Sequence, residues 1–463
     1  MSNNRIAASA QKLEDIECKK LAPFALKSRE RRDLLGDRFR VGTSPRLEYR
    51  TEYHRDRDRI IWSKAFKRLQ HKTQVFPHYV EDHYKRRLTH SLEVAQIATT
   101  VARGLNLNEI ATEAIALGHD LGHTPFGHAG EKAINNILNG LFKDSSKTLD
   151  SEVMKQIKRK KKTNTSKLIP IFGFDHCVHA IEVVSRIEKE YGSETNFGGL
   201  NLTYDVRDGI LKHICERKLA KDRKIRPFSN IPDIVKYAEY NIFGINKGSL
   251  EAQCVYFADK VTYLLGDLED GIRSNIFQDQ KLNKHDFIKR DLSKYYKVYR
   301  KGKLEFLNKD NFTLFRSKIL SILILNCIDN AKENIKKNNI KNVDDVLSNN
   351  RRMVFLSEDL KNSWKDFYST WMEKVLFKHH DVVACSVKAE KIVTDLFNAY
   401  FENPGLINSR YFEHCHMVYE KTGISDKTLL KIIIARNYIA GMTDVYASNQ
   451  HARLYMSLEN IRF

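Results

Sequence analysis

Apolar positions recur at three- and four-residue intervals in segment after segment of this chain, and strand-type alternation is scarce. That is the period of helices laid on a core. Ile60, Ile61, Lys64, Ala65 and Leu69 keep helical spacing behind an arginine-rich start, whose default role is a solvated basic face. Leu88, Leu92, Ala95, Val101 and Leu105 describe a buried stripe on a second helix, and Ile110, Ala114, Ile115 and Leu117 mark a third. Glu131 to Leu141 continues as helix, Phe174 to His179 opens another, and a polar turn at Asn201 leads into one reaching His213. A long helix is predicted over Glu251 to Asp270. From residue 276 onward helices alternate with charged loops such as Lys332 to Lys341, and a well-defined block at Ala435 to Ala447 precedes a last helix. The expected fold is mainly α-helical.

The interruptions suggest an organisation. Residues 1–44 show little periodicity and read as a charged arm, residues 45–275 as a core, and residues 276–463 as a further helical region packed on it. Within the core, residues from about 143 to 168 break the pattern with Ser, Thr, Asn and the run Lys158 to Lys162, as a surface insert would. No internal repeat or glycine-rich phosphate loop stands out. At 463 residues the chain is long enough to bury a large core. The longest apolar run, Ile319 to Ile328, is about half a membrane span, and no signal-peptide pattern is present. Seven cysteines without metal-type pair spacing do not form a disulfide framework, so a cytoplasmic protein is expected. The net charge of +20 is compatible with a nucleotide pocket or a nucleic-acid surface.

The chemistry concentrates between Leu117 and Glu131. His119, Asp120, His123, His128 and Glu131 lie within thirteen positions, punctuated by Gly118, Gly122, Pro125 and Gly127. The His119-Asp120 pair emerges at a helix end and offers one nitrogen and one oxygen, a mixture suited to Mn, Fe, Co or Mg. The glycines and the proline then turn the chain tightly, and Glu131 comes within reach of His128 if a helix starts there. A lone His-Asp pair at a helix end is more often a cap. Five ionisable residues on one glycine-punctuated turn point to a reaction site.

Two other helices add to it. His90 lies on the second helix with Arg87 one turn before it on nearly the same side, and an arginine beside a metal ligand suits a phosphate oxygen. Asp259, Tyr263 and Asp267 fall at i, i+4 and i+8 among Val255, Ala258, Val261 and Leu265, with Lys260 as the one lysine near the stripe. Carboxylates in apolar surroundings bind a cation or a donor. Asp444, in the late block, can serve as a helix cap, and spacing alone gives it no role.

The order His90, His119-Asp120, Asp259 resembles the H…HD…D pattern of HD-domain metal-dependent phosphohydrolases. The blocks Ser63 to Phe76, Arg87 to Val94, Gly118 to His128 and Gly441 to Ala447 are similar to those of bacterial dGTP triphosphohydrolases, with matches from about residue 50 to 450. The resemblance implies an HD-domain helical bundle with an additional C-terminal helical region, and hydrolysis of a deoxynucleoside triphosphate (dNTP) to deoxynucleoside and inorganic triphosphate. It implies a divalent metal ion, Mn2+ or Mg2+ with Fe or Co as alternatives, held by His90, His119, Asp120 and Asp259. It gives His128 the role of general acid to the departing 5′ oxygen with Glu131 holding its tautomer, places His123 at the α-phosphate and puts His176 near the attacking water. Arg87 and Lys260 match phosphate contacts; Gln74, Tyr263 and Asp267 match positions around the sugar 3′-hydroxyl. It also implies a homo-oligomer (tetramer or hexamer), a dNTP activator at a separate site, contact with single-stranded DNA, and no membrane.

The chain departs from the family pattern in two places. His176-Cys-Val-His179 stands where the family commonly has His-Asn-Ala-Gln, and Gly266 stands before Asp267 where His is frequent. Neither removes a metal ligand; both bear on activity, activation or base preference. The competing expectations are an HD phosphohydrolase on another nucleotide, and a nucleotide- or single-stranded-DNA-binding regulator with weak turnover.

Overall fold

A computed structural model describes residues 12–28, 49–73, 86–143, 174–188, 199–212, 247–300, 311–421 and 427–456. Gln74, the lysine run Lys158 to Lys162 and most of residues 1–44 lie outside the described residues. The principal helices are α1 (Glu52–Trp62), α2 (Arg87–Gly104), α3 (Glu109–Gly118), α4 (His128–Lys143), α5 (His176–Glu182), α6 (Tyr204–Leu211), α7 (Leu250–Arg273), α8 (Phe312–Lys337), α9 (Glu358–Tyr368), α10 (His380–Glu402), α11 (Ser409–Lys421), α12 (Lys427–Ala440) and α13 (Asp444–Tyr455). The β pairing recorded among the described residues is one isolated antiparallel bridge, Thr73 to Arg86. The fold is mainly α-helical, as the periodicity predicts.

Helices α2, α3 and α7 pack on one another and form the frame of the site. Val94, Ala98 and Val101 of α2 meet Ala111 and Ile115 of α3 and Val255, Ala258 and Val261 of α7, all buried. Each such Val or Ile contributes roughly 1.5–3 kcal/mol by leaving water. The caps come from the local sequence: Asn108 accepts from the amides of Ile110 and Ala111 to start α3, and the Ser249 hydroxyl accepts from Ala252 to start α7. The same core runs on through Ile319, Ile322 and Leu323 of α8 to Leu360 and Phe367 of α9. The apolar run at Ile319 is thus core, and no described helix is long and apolar enough to cross a membrane. A second core joins Ala133, Ile134 and Leu138 of α4 to Val393, Leu396 and Phe397 of α10 and to Ile433 and Ile434 of α12.

Four expectations need correcting. Leu92 is 52% exposed, because α2 buries the face bearing Arg87, His90, Ser91 and Val94 instead. The helix through Ile60 ends at Ser63, whose hydroxyl donates to Ile60 O and accepts from Phe66 N, and a new short helix Lys64–Arg68 follows. Arg59 is not on a solvated face: its guanidinium donates to the carbonyls of Leu200 and Asn201 at 3.1 and 2.9 Å. The amino-terminal arm contains a helix over residues 12–20, and Ala25 and Leu26 are buried in the first core.

Candidate metal centre and active site

Three helices deliver the H…HD…D residues to one place. His90 stands one turn into α2, His119 caps α3, Asp120 follows it, and Asp259 lies in the buried middle of α7. Gly118 permits the close approach of α3 to α6, since a Cβ there would lie 2.5 Å from the end of the Ile210 side chain. His90 Nε2 is 3.1 Å from Asp259 Oδ1 and 4.0 Å from Asp120 Oδ2; His119 Nε2 is 3.3 Å from Asp120 Oδ1 and 3.8 Å from Asp259 Oδ1. An octahedral ion with bonds of about 2.1 Å sets neighbouring donors about 3 Å apart and opposite donors about 4.2 Å apart, so this donor spacing suits one ion. The His119 Nδ1–H donates to Ala116 O at 2.6 Å, which leaves the Nε2 lone pair facing the carboxylates.

The electrostatics favour a cation there. Burial alone would lower the His119 pKa, but Asp120 and Asp259 outweigh it and raise the imidazole above its ordinary value. Burial would raise Asp120, yet His119, His123 and the Arg87 guanidinium hold it well below the usual carboxylate range. Arg87, fully buried, donates to Asp120 Oδ2 at 2.9 Å, and Lys260 pairs with Asp259 Oδ2 at 3.1 Å. The two arginine and lysine positions expected at phosphate therefore also neutralise the two carboxylates.

The turn after Asp120 carries the second set of groups. Gly122 lies directly under α5: a Cβ there would come within 2.0 Å of the His176 carbonyl oxygen and 2.2 Å of the Ala180 nitrogen. Phe126 and Gly127 both take left-handed backbone, φ +59° and +57°, and α4 then starts at His128. His123 Nε2 is 3.1 Å from Asp120 Oδ1, and its ring stacks on His176 with centroids 3.8 Å apart. Burial, then Arg87 and His176, push the His123 imidazole well below the ordinary histidine value, so it is neutral near pH 7. Glu131 Oε2 accepts from His176 Nδ1 at 2.8 Å and stands 3.8 Å from His128 Nδ1, while the His128 side chain is 60% exposed. Glu131 thus holds His176 directly and has His128 just beyond hydrogen-bond reach.

Tyr263 and Asp267 lie one and two turns beyond Asp259 on α7. Tyr263 hydrogen-bonds Tyr368 at the end of α9, with ring centroids 6.2 Å apart, and burial followed by Asp267 keeps both phenols protonated. Tyr368 escapes a reading by motif spacing; its signal is the aromatic run Trp364 to Trp371. His179, which the sequence shows only as a departure from the family pattern, is a second residue whose contact is visible only in the fold. Its Nδ1–H donates to Gly122 O at 2.9 Å, and burial pushes its pKa down to about 4. Lys72 is a third: its ammonium donates to the carbonyls of His123 and Ala440, and burial, then Arg68, push it down to about 7.

Comparison with known proteins agrees with this geometry. The HD domain model matches residues 87–171, and the phosphohydrolase-associated domain model matches residues 356–453. The chain is 33% identical over 447 residues to a deoxyguanosinetriphosphate triphosphohydrolase-like protein of Geobacter sulfurreducens, covering 94% of this chain and 98% of the relative. A protein so named from Ralstonia pickettii is 33% identical, covering 94% of each chain. Another from Rickettsia felis is 34% identical, covering 91% of this chain and 96% of the relative. HD domains are metal-dependent phosphohydrolases, and the buried group His90, His119 and Asp259 fits that chemistry. The chain belongs to the deoxyguanosinetriphosphate triphosphohydrolase-like family of HD-domain hydrolases.

Proposed function

We propose that this protein hydrolyses deoxynucleoside triphosphates, dGTP among them, to deoxynucleoside and inorganic triphosphate, with a divalent ion, Mn2+ or Mg2+, held by His90, His119, Asp120 and Asp259. The observation that carries the reading is the contact of Asp120 with His123, which joins the metal-type cluster to the stacked His123–His176 pair. The ion supplies Lewis-acid polarisation of a phosphate oxygen.

The chain's own residues have these roles. His176 donates Nδ1–H to Glu131 and so keeps Nε2 as the acceptor for a proton of the attacking water. The water oxygen bonds to the α-phosphorus, the bond from phosphorus to the 5′ oxygen breaks, and His128 gives that oxygen a proton. His123, held against Asp120 and stacked on His176, contacts the α-phosphate. Arg87 and Lys260 meet the phosphate charge. Tyr263 and Asp267 face the deoxyribose, where a 2′-hydroxyl finds no partner.

The test is triphosphate release from each of the four dNTPs, singly and mixed, with Mn2+ and with Mg2+. Turnover abolished by His119→Ala and by Asp120→Ala is the expected result. Pyrophosphate or orthophosphate as the first product sinks the reading. Turnover that appears only in mixtures marks a dNTP activator, and light scattering is expected to give a homo-oligomer.

A further inference from the structure

Asp444 begins α13, where an acid ordinarily complements the helix end. The cap is already made by Thr443, whose hydroxyl accepts from Tyr446 N at 3.2 Å. The Asp444 carboxylate serves elsewhere. Its Oδ2 accepts from Thr73 N at 2.9 Å and from Thr73 Oγ1 at 2.6 Å, and its Oδ1 accepts from Phe126 N at 2.8 Å. The group is 4% exposed and all three donors are more than 300 residues away in the chain. A buried carboxylate with three donors is a strong tie, and strength here depends on all three being present.

What it ties is the turn between His123 and His128. Phe126 is a bulky residue in left-handed backbone, followed by Gly127 in the same region, a conformation that a non-glycine residue adopts at a cost and keeps only when its surroundings hold it. Thr124 Oγ1 closes the turn from within by donating to Gly127 O at 2.8 Å. From outside, Asp444 holds the Phe126 amide, and Lys72 links His123 O to Ala440 O, at 2.9 Å on the latter. Thr73 and Lys72 are adjacent, so both links run between the block Ala440 to Asp444 and the same short segment.

We propose that Asp444 is a positioning residue for the reaction: it sets the His123–His128 turn against Thr73 and thereby places the two histidines relative to Asp120. Asp444 touches no reacting group, and its effect passes through the backbone of the turn. This gives the phosphohydrolase-associated region, which includes Asp444, a role in the chemistry carried by the HD region. The activity arm of its test rests on the function proposed above; the exchange arm does not.

Asp444→Asn preserves shape and replaces one carboxylate oxygen with an NH2 group. Either the Phe126 amide or the Thr73 donors then face a donor. Amide hydrogen exchange is expected to quicken in residues 122–131 and stay unchanged in Leu250–Arg273, with kcat for dNTP hydrolysis falling about 10- to 100-fold and KM within about threefold. Thr73→Val, which removes one donor, is expected to show a smaller change of the same kind, and Thr73→Ser to restore wild-type behaviour. Unchanged exchange at 122–131 in Asp444→Asn overturns the proposal. So does exchange that quickens equally throughout both cores, which marks a purely structural residue. Should Asp444→Asn not fold, the Thr73→Val and Thr73→Ser pair decides by the same readings. Wild-type protein that releases triphosphate from no dNTP sinks the proposed function, and the exchange result still decides this one.

Discussion

Glu251 carries a buried carboxyl group whose protonation is coupled to folding. It sits in the first turn of α7, fully enclosed, with Oε1 accepting from Leu26 N at 2.8 Å and from Asn108 N at 3.2 Å. Oε2 is buried with no hydrogen-bond partner, the place where the proton of the neutral acid belongs. Burial dominates and, although the amides of Leu26, Glu251 itself and Asn108 oppose it, pushes the pKa up from 4.5 to about 7. A folded-state value raised above the unfolded one means that the native state binds the extra proton. Its stabilising contribution is therefore complete below pH 4.5 and is lost as the pH rises through 7. A rise of that size is worth about 3 kcal/mol, of which about 2.5 kcal/mol falls between pH 5 and pH 8. Glu251→Gln mimics the neutral acid: its carbonyl keeps both amide donors, and it cannot ionise. Urea unfolding at pH 5, 6, 7 and 8 is expected to show the variant gaining on wild type by about 2.5 kcal/mol across the series, which removes the pH dependence due to other groups. Parallel pH curves for the two proteins refute the reasoning, as does a variant that is the less stable at pH 8.

Three further outcomes follow from the geometry. Gly122→Ala places a Cβ against the backbone of α5, which cannot move aside as a side chain would; a loss of about 3 kcal/mol in urea unfolding is expected, with dNTP turnover lost too. Arg436 pairs with Glu182 at 2.6 Å with both buried, so Arg436→Met is expected to cost about 3–5 kcal/mol, most of it recovered when Glu182→Leu is added; a single-variant loss below about 1 kcal/mol counts against a buried pair. His179→Gln keeps a donor for Gly122 O and should stay within about 1 kcal/mol of wild type, whereas His179→Leu strands that carbonyl and should cost about 1–3 kcal/mol, both read by thermal unfolding.

Much of the frame was legible because helix periodicity and burial agree over most of the chain. The stripe Asp259, Tyr263 and Asp267 reads as one face of a long helix, and the structure has it on α7. The turn at Gly122 to Gly127 is readable from its glycines, and the helix that follows does begin at His128. Residues joined only by the fold were not legible. Asp444 looks like a helix cap in sequence, and only the approach of Phe126 and Thr73 reveals its other work. Tyr368 and Lys72 likewise depend on neighbours far along the chain, Tyr263 and Ala440. No local rule of spacing encodes those meetings.

The misreading of α2 shows why the site itself disturbs the pattern. Ranked by hydrophobicity, Leu88, Leu92 and Ala95 belong inside and His90 and Arg87 belong outside. The structure turns the helix so that Arg87, His90 and Ser91 are buried while Leu92 faces water. Exposing one leucine forgoes about 2 kcal/mol of burial. Burying Arg87 and His90 unpaired is far more costly, and it is tolerable because Arg87 meets Asp120 at 2.9 Å and His90 meets Asp259 at 3.1 Å. Those partners sit on the turn after α3 and on α7, so the orientation of α2 is set by charges on two other segments. A helix that turns a leucine outward while burying an arginine and a histidine has another obligation on its inner face, and here that obligation is the buried group His90, His119 and Asp259, which fits a metal ion.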